Sequence, residues 1–242
     1  MPRLTGLLLL SSLLALPAWA IETPAAVQDY LGELERVETA TAPQSLEPLL
    51  AKAEAVQEAL MQIPGGLGSD ALIETYPEAE YGALQQRLRG LHLQRGMEIF
   101  VQPLPEFFFA LAQRHGREAD VEFFRLYRAY WGPRLFPIYM RPRALVIGCV
   151  QYGEGLLIEL YEDWSRYARR HPQDYQALVS QMLRDFEEVV SLGTCACGDR
   201  ASVIRELRGF IRRFPGNPAV PAASKRWREL KAGSEQLPLS CG

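Results

Sequence analysis

The sequence predicts an all-α protein, built as an array of antiparallel helices (helical hairpins) around a central glycine-containing helix. Apolar residues recur almost throughout at the i, i+3, i+4, i+7 spacing of an amphipathic helix. Breaks that contain proline or glycine separate these periodic segments. Of the 242 residues, 48% are apolar and 23% are charged, which is typical of a folded globular protein rather than a disordered or fibrous one.

Residues 1–20 have the three regions of a secretion signal peptide. Arg3 supplies the positive charge, residues 7–16 form an apolar run, and Ala18-Trp19-Ala20 is a small-residue cleavage sequence. The apolar run is too short to span a bilayer, so we expect no transmembrane anchor. The mature protein is therefore expected to be periplasmic or secreted.

Residues 21–62 predict an N-terminal helical hairpin with an acidic outer face. Pro24 begins the first helix after Thr23, Pro43 breaks the pattern, and Ser45 is a suitable cap for the second helix. This segment carries eight acidic and two basic residues. Residues 63–77 contain two prolines and three glycines, which predicts a linker loop.

Residues 78–232 are expected to form the main helical domain, and residues 233–242 a C-terminal tail. The run Met97–Val101 is the only β-like segment and is too short to build a sheet alone. The longest predicted helix contains Gly148, Gly153 and Gly155, and we expect it to be the buried central helix, crossed closely by its neighbours. The predicted helices are 78–95, 104–115, 118–131, 142–170, 173–192, 199–213 and 219–231.

The last two predicted helices are separated by Phe214-Pro215-Gly216-Asn217-Pro218. This punctuation resembles the hairpin turn of tetratricopeptide-type helical repeats over about 28 residues, from Val203 to Leu230. The resemblance implies two packed antiparallel helices and no particular function.

Four cysteines occur in a chain that we expect in an oxidising compartment: Cys149, Cys195, Cys197 and Cys241. An even number predicts two disulfides. A bond between Cys195 and Cys197 would close a small strained ring, so we favour Cys149 with one of this pair and Cys241 with the other. The alternative is a metal or redox carrier that uses the C-x-C pair, although no histidine lies near it.

Aromatic and arginine residues are concentrated between positions 100 and 143. Eleven of the 23 aromatic residues after position 20 lie between 100 and 139, and no acidic residue occurs from 125 to 143. The rings are expected either to pack in the core or to line a groove, and the arginines either to meet a partner or to neutralise the acidic hairpin. The predicted binding residues are Arg125, Arg128, Tyr130, Trp131, Arg134, Arg141 and Arg143.

Glu154 is the candidate catalytic residue, because it lies between two glycines within an otherwise apolar run. Burial would raise the pKa of such a glutamate and suit it to general-acid catalysis. It would then serve a periplasmic hydrolase of cell-wall glycan or peptide. Pairing with a nearby arginine is the simpler explanation.

No nucleophile elbow, zinc-protease motif, phosphate-binding loop or haem-attachment motif occurs in the sequence. We therefore expect no cofactor, no metal site and, more weakly, no enzymatic activity. The net charge of −3 argues against a nucleic-acid partner. The leading hypothesis is an exported protein–protein interaction module in the cell envelope, working as an adaptor of an envelope or secretion assembly, or as an inhibitor or immunity protein for an exported enzyme or toxin.

Overall fold

The computed structural model describes residues 23–63, 70–96, 98–132, 136–144, 147–192 and 195–233. Helices dominate these residues and pack against one another, which confirms the helical fold class in its coarse form. The predicted signal peptide and the tail beyond residue 233 lie outside the described residues. The elements are α1 (Ala25–Glu38), α2 (Glu47–Met61), α3 (Leu72–Thr75), α4 (Glu78–Arg87), β1 (Leu91–Gln94), β2 (Phe100–Pro103), α5 (Pro105–His115), α6 (Glu118–Tyr130), β3 (Met140–Ala144), β4 (Ile147–Val150), α7 (Leu156–Arg170), α8 (Gln176–Ser191), α9 (Arg200–Arg213) and α10 (Val220–Lys231).

The N-terminal hairpin forms as the apolar periodicity predicts. Its two helices, α1 and α2, pack together through stripes at helical spacing, of which Val27, Leu34, Leu49 and Val56 are fully or almost fully buried. Within the predicted linker 63–77, the short helix α3 contributes Ile73 to the same core.

The predicted helix 78–95 is wrong in its second half. Helix α4 ends at Arg87, and Gly90 adopts a positive φ of 85° that turns the chain. Leu91–Gln94 then forms β1, which pairs antiparallel with β2 in a two-stranded sheet. Leu91 and Leu93 point inward at the period-two spacing of a strand, and the partner strand lies beyond the local pattern from which the helix was predicted.

The predicted central helix 142–170 is wrong in its first half. Residues 140–150 form the antiparallel strands β3 and β4, apart from residues 145 and 146, which are not described. Gly153 and Gly155 adopt positive φ values of 91° and 82°, a conformation incompatible with a right-handed helix. They form the turn that leads into α7, and α7 itself contains no glycine. The glycines therefore serve a turn and not a close helix crossing.

The aromatic rings of α6, α7 and the start of α8 form the centre of the core. Phe123 stacks on Tyr175 with 3.7 Å between ring centroids, and its edge contacts involve Trp164 and Tyr167. All four side chains are fully buried. The aromatic concentration in the sequence is thus mainly a packing feature.

No helix in the described part of the chain is both long enough and apolar enough to cross a membrane.

Candidate interaction surface

The two aromatic members of the predicted binding set lie in or beside the core. Tyr130 is 6% exposed, and its hydroxyl is 3.5 Å from that of Tyr139. Trp131 is half-buried and contacts the rings of Tyr127 and Tyr130. A docking partner would therefore meet Trp131 only in part and Tyr130 hardly at all.

The arginines of the predicted set do not share one environment. Arg128 lies over the ring of Phe109 and 3.3 Å from the Glu106 carboxylate. Arg141 is exposed and donates to Gln151 at 3.2 Å. Arg125 is exposed and has no ion-pair partner among the described residues. Arg134 and the side chain of Arg143 lie outside the described residues.

A second group of arginines, which the sequence analysis did not identify, lies on α9. Arg205, Arg208 and Arg212 follow one another at i, i+3 and i+7, and all three are exposed. This spacing places them along one face of the helix, over roughly 10 Å. None of the three pairs with a carboxylate of the described residues. We call these three residues the α9 arginine row.

The α9 arginine row belongs to a strongly basic hairpin. Residues 199–231 carry nine Arg and Lys against three Asp and Glu, a net charge of +6, whereas residues 23–62 carry two against seven, a net charge of −5. On α10, Lys225 and Arg228 are also exposed, and Lys225 lies 3.9 Å from the Glu229 carboxylate. The excess of Arg and Lys over Asp and Glu in residues 199–231 is visible in the sequence itself.

The basic hairpin is fixed to the rest of the fold at several points. A disulfide joins Cys149 of β4 to Cys197, with 4.9 Å between the Cα atoms. Alongside it, Val150 N–H donates to Cys195 O at 2.7 Å, and Cys197 N–H donates to Val150 O at 2.9 Å. The side chain of Asp199 then accepts from Ser202 N–H at 2.8 Å and caps α9. The start of α9 is therefore held in place covalently and by backbone pairing.

Two buried charged side chains extend this attachment. From α9, Glu206 Oε2 accepts from the backbone N–H groups of Gly153 at 2.8 Å and Gly155 at 3.0 Å. From α10, Arg226 Nη1 donates to Val189 O at 2.9 Å, near the end of α8, where helix carbonyls favour a cation. The helices that carry the exposed charges are thus mounted rigidly, as a recognition surface requires.

Glu154, the candidate catalytic residue, is not buried. Its side chain is exposed at the tip of the turn between Gly153 and Gly155, so the burial on which a general-acid role would depend is absent. The buried glutamate of this region is instead Glu206, which is 1% exposed. Its role as acceptor for the turn was not visible in the sequence, because α9 contacts the turn only through the tertiary fold.

The cysteine pairing agrees with the favoured prediction for its first bond, since Cys149 is joined to one member of the C-x-C pair, Cys197. Cys241 lies outside the described residues. No described cysteine is a free thiol. Within residues 23–233, as far as they are described, no three His, Cys, Asp or Glu side chains come together as metal ligands. The C-x-C pair therefore does not present a dithiol site in this structure.

Comparison of the chain with protein-family models, with curated proteins and with solved structures found no match.

Proposed function

We propose that the protein is an exported, non-catalytic interaction module that docks an acidic partner protein in the cell envelope. The observation that carries the proposal is the α9 arginine row: three exposed guanidinium groups on one helix face without carboxylate partners in the described structure. Arginine presents a planar set of donors that matches a carboxylate in a two-pronged geometry. Such a row recognises a surface that carries several carboxylates.

An acidic protein fits this surface better than a nucleic acid or a lipid bilayer. The whole chain has a net charge of −3, which would oppose a polyanion as long as a nucleic acid. The described residues have three large exposed hydrophobic side chains, Ile63, Ile138 and Leu192, and all three lie outside the basic hairpin. Insertion into a membrane surface requires apolar side chains beside the basic ones.

Two roles are consistent with such a module. It would act as an adaptor of an envelope or secretion assembly, or as an inhibitor or immunity protein for an exported enzyme or toxin. In the second role the α9 arginine row would cover an acidic active site. Arg125 and Arg141, exposed on α6 and β3, are proposed as a secondary contact of the same partner.

The proposal is tested by capturing partners from the envelope fraction of the source cell on the tagged, oxidised mature protein. The matched variants are Arg205→Gln/Arg208→Gln/Arg212→Gln and Arg87→Gln/Arg114→Gln/Arg184→Gln. Both remove three exposed arginines that form no ion pair with a described carboxylate, so the change in net charge is equal. We expect a stoichiometric acidic protein on the wild type and on the second variant, and its loss from the first.

Equal capture by the two variants would contradict docking through α9. If no protein is retained while cell-wall fragments are consumed by the wild type, the interaction module itself is contradicted. Glu154→Gln would then show whether the exposed glutamate is responsible for the hydrolysis.

A further inference from the structure

A polar cleft lies between α7 and the turn 214–218 that joins α9 to α10. Its volume is about 540 Å³, within the size range of small-molecule sites. Tyr161, Glu162, Ser165 and Arg169 line one side from α7, and Arg213 with the turn lines the other. None of these residues belongs to the α9 arginine row, so the cleft is independent of the proposed docking surface.

The wall formed by the turn is held in one conformation. Asn217 Nδ2 donates to Glu187 Oε1 at 2.8 Å, and its Oδ1 accepts from Ala219 N–H at 2.7 Å. Tyr161 donates to the same Glu187 oxygen at 2.8 Å, and its ring meets Phe214 edge-on with 4.8 Å between centroids. These bonds and the two prolines of the turn fix its conformation before a ligand binds. Binding therefore costs little conformational entropy.

The cleft contains one guanidinium that forms no ion pair within the described part of the chain, that of Arg169, although its charge adds to the hydrogen bond from Arg213 in lowering the pKa of Glu162. Glu162 is bound by Arg213, whose Nε lies 3.2 Å from Glu162 Oε2. Arg169 is exposed and pairs with no carboxylate of the described residues. The apolar surface beside these groups comes from Phe214, Pro215 and Pro218. The lining therefore carries two arginines and one glutamate, a net charge of +1, next to an apolar wall.

We infer that this cleft binds a monocarboxylate carried on an apolar body, with the carboxylate on Arg169 and the apolar part against Phe214 and the prolines. One net positive charge matches one carboxylate. A dianion such as phosphate would exceed the net charge of +1 in the lining and leave one negative charge without a partner, and a cation would meet Arg169. A small free acid and an apolar peptide C-terminus share this chemistry.

The test is a titration of the oxidised mature protein, followed by backbone amide chemical shifts. The probes are phenylacetate with its neutral amide, an acetylated dipeptide ending in phenylalanine with its amidated form, and inorganic phosphate. We expect at least one acid to bind with a Kd on the order of 1 mM and to shift the backbone amides of Phe214, Gly216 and Asn217. The neutral amides and phosphate should not bind there. A response to phenylacetate alone would identify a free acid, and tighter binding of the dipeptide a peptide terminus.

Two variants and a control sharpen this test. Arg169→Gln should raise the Kd of the acid about tenfold or more, because it removes a charge-assisted hydrogen bond. Gly216→Leu should have a similar effect by filling the cleft, since Gly216 has no positive φ and an added Cβ there meets no atom within 4 Å. Arg184→Gln on α8 should leave binding unchanged. Absence of acid binding, equal binding of acid and amide, or unchanged affinity in both cleft variants would overturn the inference.

Discussion

At the scale of single residues, Asp120 illustrates how a buried charge organises this fold. The side chain is fully buried, and its Oδ1 accepts from Leu46 N–H at 2.9 Å and from the Tyr175 hydroxyl at 2.6 Å. Its Oδ2 accepts from the backbone N–H and Nε of Arg117 at 2.9 and 3.0 Å. One carboxylate thus ties together the start of α2, the start of α6 and the start of α8. A buried carboxylate is tolerated at this position because all four donors are present.

Replacement of this carboxylate by an amide should be costly. In Asp120→Asn one carboxylate oxygen becomes an NH2 group, which cannot accept a hydrogen bond. The two donors that bind this oxygen in the wild type would lose their acceptor. The free energy of unfolding should therefore fall by about 3 kcal/mol. Urea denaturation measures this change. Asp29→Asn is the control, because Asp29 is exposed and its ion pair with Lys52 lies at the surface. Equal midpoints for the two variants would show that Asp120 does not hold these elements together.

At the scale of elements, the turn 151–155 connects the disulfide-bonded strand β4 to α7 and receives Glu206 from α9. Both of its glycines have positive φ, but their surroundings differ. An added Cβ at Gly153 would lie 2.8 Å from Ser202 Cβ, whereas one at Gly155 would meet no atom within 4 Å. A substitution at Gly155 therefore tests backbone strain alone, whereas one at Gly153 tests backbone strain and close packing together.

Alanine at these two positions should give unequal losses of stability. Gly155→Ala should cost about 1–2 kcal/mol, from the left-handed backbone alone. Gly153→Ala should cost about 3 kcal/mol, because it adds a clash with α9 to the same strain. Thermal or urea unfolding of both variants gives the comparison. A Gly153 variant no less stable than the Gly155 variant would mean that α9 does not press against this turn.

The elements also show what the sequence could and could not predict. Helices α5, α6, α9 and α10 have uninterrupted amphipathic stripes between proline or glycine breaks, and their predicted bounds agree with the structure to within one residue. The helix prediction is wrong for Leu91–Gln94 and, among the described residues, for 142–144 and 147–155. There the conformation is decided by positive-φ glycines and by pairing with the neighbouring strand of the chain, neither of which an apolar period encodes.

The candidate site also has some features that the sequence predicts and others that it does not. The cluster of arginines from 125 to 143 was visible as a charge pattern, but the burial of Tyr130 was not, because core packing and a binding groove use the same helical spacing. Conversely, Arg205, Arg208 and Arg212 look like the ordinary solvated face of an amphipathic helix. Only the fold shows that no described carboxylate approaches them.

At the scale of the whole molecule, buried tyrosines should make the stability of the fold decrease as the pH rises in the alkaline range. Burial raises the pKa of Tyr130, Tyr167 and Tyr175 well above the ordinary tyrosine value. The folded state therefore favours the neutral phenols, and the unfolded chain loses those protons first as the pH rises. The contribution of these tyrosines to stability should be constant below about pH 10, the ordinary tyrosine pKa, and should fall above it.

This pH dependence is checked by urea unfolding between about pH 8 and about pH 11, together with tyrosinate absorbance. Few other groups titrate in this pH range, because only three lysines follow residue 20 and the 22 arginines stay protonated. We expect the buried tyrosines to ionise only as the fold is lost. Full ionisation near pH 10 with the helical content intact would contradict the burial of these hydroxyls.

The whole molecule also separates its charge along the chain, with a net −5 over residues 23–62 and +6 over residues 199–231. Opposite charges on different hairpins orient a charged partner before contact, since long-range electrostatics act mainly on the association rate. A partner guided in this way should approach the α9 arginine row and avoid the acidic hairpin.

The most direct measurement of this central claim is site-specific photo-crosslinking in the envelope of the source cell. A crosslinking residue replaces Ala201 on α9, one turn before Arg205 and on the same face, Ala129 beside Arg125, or Ala51 on α2; all three alanines are exposed. The account predicts one strong adduct with an acidic protein from position 201, a weaker one from 129 and none from 51. Adduct formation from position 51 with none from 201 would contradict it.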